Sequence, residues 1–75
     1  MSQPQRSMTP EQVKAARALL GLKQEDLADL AGLSRNNIAA YENGRGVSGV
    51  LYDKIFDALV DAGIEFLRGG VRVRG

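Results

Sequence analysis

Gly32 is the residue that most constrains what this chain can fold into. It interrupts residues 24–43, QEDLADLAGLSRNNIAAYEN, between two short stretches of helical character. Before it, Leu27, Ala28 and Ala31 fall at i, i+1 and i+4, the apolar stripe of a helix. A glycine takes the left-handed backbone geometry that a sharp helix-to-helix turn requires. The first helix therefore ends at Gly32, and Leu33 is placed to plug the turn. Ser34 is a natural N-cap, its hydroxyl able to accept a hydrogen bond from a free N–H at the start of the next helix. Ile38, Tyr41 and Glu42 continue at helical spacing, and Asn43-Gly44 is a stop signal. Ala28 is small where two steeply crossing helices leave little room.

Two short helices joined in this way form a helix-turn-helix, whose second helix is shaped to lie in a DNA major groove. Net charge is a weak guide, since ten Lys and Arg against nine Asp and Glu leave only +1. Distribution is more telling. Glu11, Asp53, Asp57, Asp61 and Glu65 lie outside the central pair of helices, and Glu25, Asp26 and Asp29 sit on its first member. The second helix and the loop behind it carry Arg35, Asn36, Asn37, Asn43 and Arg45 with Glu42 as the lone acid. A surface that meets phosphates needs that asymmetry.

The flanking segments complete a mainly α domain. Residues 1–8 are polar and are expected to form a flexible arm. Thr9, Pro10 and Gln12 supply an N-cap, a proline at the first helical position and a capping-box partner. The helix they start runs to about Leu20, with Val13, Ala16, Leu19 and Leu20 apolar, and Gly21 closes it. Lys23 is a poor cap for the next helix, and Glu25 and Asp26 compensate through the helix dipole. Ser48 caps a fourth helix reaching about Ala62, with Leu51, Ile55, Phe56, Leu59 and Val60 as one stripe. After Gly63 the period changes to two: Ile64 and Phe66, then Val71 and Val73, on either side of Arg68-Gly69-Gly70, predict a small β-hairpin. The boundaries expected are an arm at 1–8, a DNA-binding domain at 9–63 and a hairpin at 64–75.

Composition excludes several classes. Seventy-five residues make one domain with a largely aliphatic core, since the chain has two Phe, two Tyr and no Trp. The absence of cysteine removes disulfides, thiolate zinc sites and thiol redox chemistry. The absence of histidine removes the commonest general base and metal ligand. Gly44-Arg45-Gly46 is too short and wrongly placed for a phosphate loop. The expectation is a non-enzyme with no cofactor and no metal. No apolar run approaches the ~20 residues of a membrane span, and a cytoplasmic location is expected by default.

From Met8 to about Leu67 the chain resembles the Cro/cI-like, or XRE, family of helix-turn-helix domains. The resemblance is carried by Arg17, by GLKQEDLA at 21–28, by AGLSR at 31–35 and by IAAYENGR at 38–45. It implies a lambda-repressor-like four-helix fold. Family members typically continue with a fifth short helix, where this chain offers a hairpin. The resemblance implies that Arg35, Asn36, Asn37 and Ala40 face base edges. Arginine can bridge guanine O6 and N7, asparagine can bridge adenine N6 and N7, and an alanine methyl can meet a thymine methyl. It also implies phosphate contacts at Gln24, Asn43 and Arg45, with Ser34 available for both capping and a phosphate.

Arg17 lies on the apolar face of the first helix and Glu42 on the apolar edge of the third, so a partly buried ion pair joining them is expected. Lys14, Lys23 and Lys54 read as ordinary solvated charges. Arg68, Arg72 and Arg74 either help hold DNA or form the charged face of an edge strand. Phe56, Ile64, Phe66, Val71 and Val73 are expected to form a dimer interface. The resulting expectation is a sequence-specific transcriptional regulator, a repressor in the commonest case, reading a palindromic operator in duplex DNA as a homodimer. The alternative is an antitoxin that binds a toxin and represses its own promoter. Polymerase and a toxin are the protein partners these two readings imply.

Overall fold

The computed structural model describes residues 7–74. The element order is α1 (Pro10–Leu20), α2 (Gln24–Ala31), α3 (Arg35–Glu42), α4 (Gly49–Asp61), β1 (Ile64–Leu67) and β2 (Gly70–Val73). This is a mainly α, lambda-repressor-like arrangement closed by an antiparallel hairpin.

Local chemistry sets the element boundaries. At the start of α1, Thr9 Oγ1 accepts from the Gln12 N–H at 3.2 Å and Gln12 Oε1 accepts from the Thr9 N–H at 2.9 Å, a reciprocal capping box. Lys23 offers α2 no capping oxygen. Asp26 Oδ2 reaches back instead and accepts from the Lys23 backbone N–H at 2.9 Å, a hydrogen bond beyond the dipole effect anticipated for that carboxylate. Ser48 Oγ accepts from the Leu51 N–H at 3.2 Å and opens α4. Gly32 and Gly44 follow α2 and α3 with φ of 69° and 81°, a region where a side chain would be strained. In both, the next residue's N–H bonds back across the helix end, Leu33 to Ala28 O at 2.8 Å and Arg45 to Ala40 O at 3.0 Å, as in a Schellman motif.

The core draws on all four helices and β1: Val13 and Ala16 from α1, Leu27 and Ala28 from α2, Ile38 and Tyr41 from α3, Ile55, Phe56 and Leu59 from α4, and Ile64 and Phe66 from β1. Leu19, expected among the apolar residues of the first helix, is exposed. In the hairpin Ile64 pairs with Val73, Glu65 with Arg72, Phe66 with Val71 and Leu67 with Gly70. The turn is thus Arg68-Gly69, and Gly70, expected in the turn, is the first residue of β2.

Two expectations need correction. Met8, assigned to the flexible arm, is buried in the core. Its carbonyl accepts from the Tyr41 hydroxyl at 2.6 Å and its N–H donates to the Tyr52 hydroxyl. The two tyrosine rings meet edge to face, 6.0 Å apart, so the chain is already fixed before α1 begins. Residues 1–6 of the expected arm and residue 75 lie outside the described residues. The second correction concerns the dimer interface. Phe56, Ile64 and Phe66 are buried within this chain's own core, with the Phe56 and Phe66 rings stacked at 5.0 Å. The alternation that made Ile64 and Phe66 look adhesive is satisfied by α4 of the same chain. Val71 is half-buried against that core, and Val73 retains 46% exposure.

Candidate nucleic-acid interface

One face of α3 is core and the other is open. Ile38, Tyr41 and Glu42 point inward and are buried. The opposite strip starts with Arg35 and Asn36, passes Ala39 and Ala40, and ends at Asn43 and Arg45. Its four polar residues are exposed and its two alanines half-buried. Positions 36, 40 and 43 lie at i, i+4 and i+7, one line along the helix. No acidic or bulky side chain interrupts the strip. An α-helix with its side chains is roughly 10–12 Å across, a fit to the ~12 Å width of a major groove. Polar hydrogen-bonding groups stand at both ends with only methyl groups between them, so the backbone of α3 can approach base edges closely.

The start of α3 gives Asn37 a different job from the one expected and engages Ser34 in the expected cap. Ser34 Oγ accepts from the Asn37 N–H at 3.2 Å. In return, Asn37 Oδ1 accepts from the Ser34 N–H at 3.1 Å and from its hydroxyl at 2.9 Å. Both donors of Ser34 are engaged, so it has none to offer a phosphate while the cap is intact. The carbonyl end of Asn37 is turned back over the helix start, leaving only its NH2 group for a base. Arg35 and Asn36, one step either way from this closed box, are free to project. Sequence reasoning saw the cap at Ser34 and missed its reciprocal partner, although an Asn three residues after a Ser is the spacing that forms one.

The two helix ends place different residues after the glycine. At the end of α2 the position is Leu33, half-buried against the core; at the end of α3 the same position is Arg45, exposed. An identical backbone cap thus directs one side chain into the protein and presents the other as a charge beside the open strip.

Behind the strip lies a polar network that spans three helices. Glu42 is only 4% exposed. Its Oε2 accepts from Arg17 Nε at 2.6 Å, and its Oε1 accepts from Arg17 Nη2 at 2.7 Å and from Gln24 Nε2 at 3.0 Å. Arg17 Nη1 donates to the Leu22 carbonyl at 3.1 Å. Burial pushes the Glu42 carboxyl up, but the hydrogen bonds from Arg17 and Gln24 and the charges of Arg17 and Lys14 outweigh it and hold the group below its ordinary value. Arg17 is correspondingly held above its own, first by the hydrogen bond to Glu42. The Arg17–Glu42 pair is therefore present as an architectural clamp. Gln24, expected at a phosphate, is brought into this clamp by one N–H of its side-chain amide, a contact the sequence reading did not anticipate.

Two of the three hairpin arginines, Arg72 and Arg74, are engaged locally. Arg72 Nε pairs with Glu65 Oε1 at 2.6 Å, and Arg74 Nη2 donates to the Val60 carbonyl at 2.9 Å. Gln12 is a further buried polar residue not singled out beyond its cap: its Nε2 donates to the carbonyls of Leu67 and Gly70 at 2.7 and 2.9 Å. Its position one turn before Ala16 on the inward face of α1 was the available signal. A shallow cleft of about 370 Å³ beside it is lined by Thr9, Glu11, Gln12, Ala15, Gly69 and Gly70, with Glu11 as its one ionisable side chain. Among the described residues no helix is long and apolar enough to cross a membrane.

Comparison with known families gives a match to the helix-turn-helix model over residues 13–59, which takes in the whole of α2 and α3 and most of α1 and α4. Comparison with curated proteins gives no match. The family match covers more than half of the chain, and the chain belongs to the XRE helix-turn-helix family of DNA-binding transcription regulators.

Proposed function

We propose that this helix-turn-helix protein is a repressor that recognises a palindromic operator as a homodimer, with no catalytic activity. The observation that carries the reading is the open strip of α3, bounded by Arg35 and Asn36 at its start and by Asn43 and Arg45 at its end. Arg35 and Asn36 are the base readers in this account, favouring guanine and adenine respectively. Ala40 provides an apolar contact, and Asn43 and Arg45 hold phosphates and set the register.

Two free base-reading side chains on one short helix cover too few base pairs to single out an operator, which favours two copies on a symmetric site. The surface proposed for the second copy is the outer edge of β2, with Val73 half-exposed, in place of the buried aromatic residues. In this account the homodimer seated on a promoter represses by excluding polymerase from the same stretch of DNA. Selection from randomised duplex DNA at physiological salt tests the reading. It is expected to recover an inverted repeat with half-sites about one helical turn, ~34 Å, apart. Recovery of a single half-site would overturn the dimer, and recovery of no motif would overturn sequence-specific regulation.

A further inference from the structure

We infer that Glu42 is a positioning residue for DNA binding, acting through Gln24, so that the buried clamp and the grip on the DNA backbone form one unit. The inference rests on the DNA-binding reading above and names residues that set it. Glu42 cannot touch DNA, being 4% exposed and on the core side of α3. Gln24 is half-buried at the first position of α2, the helix whose start accompanies the recognition helix along the DNA backbone.

The chemistry of the amide couples the two. A glutamine NH2 carries two donors in one plane with its carbonyl. One donor is given to Glu42 Oε1 at 3.0 Å, and this fixes the rotation of the whole amide group. The second N–H is then held in one direction, without the rotational freedom that a solvated glutamine would lose on binding a phosphate. The carboxylate that orients it is itself held by two hydrogen bonds from Arg17, at 2.6 and 2.7 Å. Charge-assisted bonds of this kind are the strong ones. Because Glu42 belongs to α3 and Gln24 to α2, the same contact fixes the phosphate donor relative to Arg35 and Asn36. Backbone register and base readout are thereby set together, which neither helix alone would achieve.

The test is a double-mutant cycle on operator affinity, using Gln24→Ala, Glu42→Gln and the double variant, each followed from low to high salt with folding checked by circular dichroism. Gln24→Ala is expected to weaken binding roughly tenfold, the scale of one hydrogen bond to a charged group, with the salt slope unchanged because a neutral amide releases no counterion. Glu42→Gln is expected to weaken binding to a similar extent, and the double variant no further. Additive losses, or an unchanged affinity for Gln24→Ala, would overturn the inference. Should Glu42→Gln fail to fold, the native protein carries the test through the side-chain NH2 resonances of Gln24. They are expected away from the positions of a solvated glutamine amide, with one of the two shifting on adding operator, whereas resonances at the solvated positions and indifferent to DNA would overturn it. If the native protein binds no duplex at all, the DNA-binding reading fails, and that outcome is distinct from a native protein that binds while its Gln24 variant binds equally well.

Discussion

The two ends of α1 hold the rest of the molecule by different chemistry. Near its start, Gln12 gives both side-chain N–H groups to backbone carbonyls, those of Leu67 and Gly70 at either side of the hairpin turn. Near its end, Arg17 gives its N–H groups to the Glu42 carboxylate and the Leu22 carbonyl. The hairpin end asks only for carbonyls, which every residue supplies. The helix-turn-helix end asks for one particular acid. An anchor of the first kind tolerates change in the partner's side chain, while an anchor of the second kind fixes the identity of a residue in the recognition helix.

The largest effect that could break this comparison comes from Phe66→Ala. Phe66 is 1% exposed and stacked on Phe56, so its truncation should cost about 3–5 kcal/mol. Urea unfolding followed at both ends should still show one transition. If the hairpin melted first and left the helices standing, the two ends would be separate units and not two attachments of one core.

Glu42→Ala comes next, at roughly 3 kcal/mol, because it strands a partly buried guanidinium. Its sign with pH is distinctive. A carboxyl held below its ordinary value stabilises the fold above the unfolded-state value and loses that contribution as pH falls through the folded-state value. Acid unfolding of the native chain should therefore be steeper than that of Glu42→Gln. Gln12→Ala is expected to cost about 1–2 kcal/mol by leaving two carbonyls with one partner fewer. That loss should be flat with pH below neutrality, since no titrating group is involved; an acid-dependent loss would contradict the contrast.

A smaller effect sharpens a third attachment. Burial pushes the Tyr41 hydroxyl, which donates to the Met8 carbonyl, up to about 12. Its contribution should be complete below the ordinary tyrosine value of 10.0 and disappear as pH rises from there towards 12. Tyr41→Phe should cost about 1 kcal/mol near neutrality and shallow the alkaline limb of the stability profile.

The same contrast explains what was legible in the sequence. The Arg17–Glu42 clamp announced itself as two opposite charges on two apolar stripes, and the helix ends announced themselves as glycines. The Gln12 anchor was invisible beyond its capping role because its partners are backbone atoms of a distant hairpin, which leave no trace in residue identity. The hairpin itself was readable from its alternation, yet the side that alternation would bury was not. Period-two patterning specifies an apolar face without saying whether α4 of the same chain or a second copy covers it. Asn37 was assigned to bases because its polarity was visible and its geometry was not. Met8 was placed in the arm because polar neighbours surround it, while the tyrosines that hold it lie 33 and 44 residues away.

The central claim, that the strip of α3 reads sequence, is tested most directly by comparing Arg35→Ala with Arg45→Ala on the selected operator and on unrelated duplex at equal salt. The account predicts that Arg35→Ala loses roughly ten- to a hundredfold on the operator, equivalent to ~1–3 kcal/mol of base discrimination, and little on unrelated DNA. Arg45→Ala should weaken both about equally. Equal losses on both duplexes for Arg35→Ala would contradict the claim, because Arg35 would then hold phosphate and α3 would not be reading bases through it.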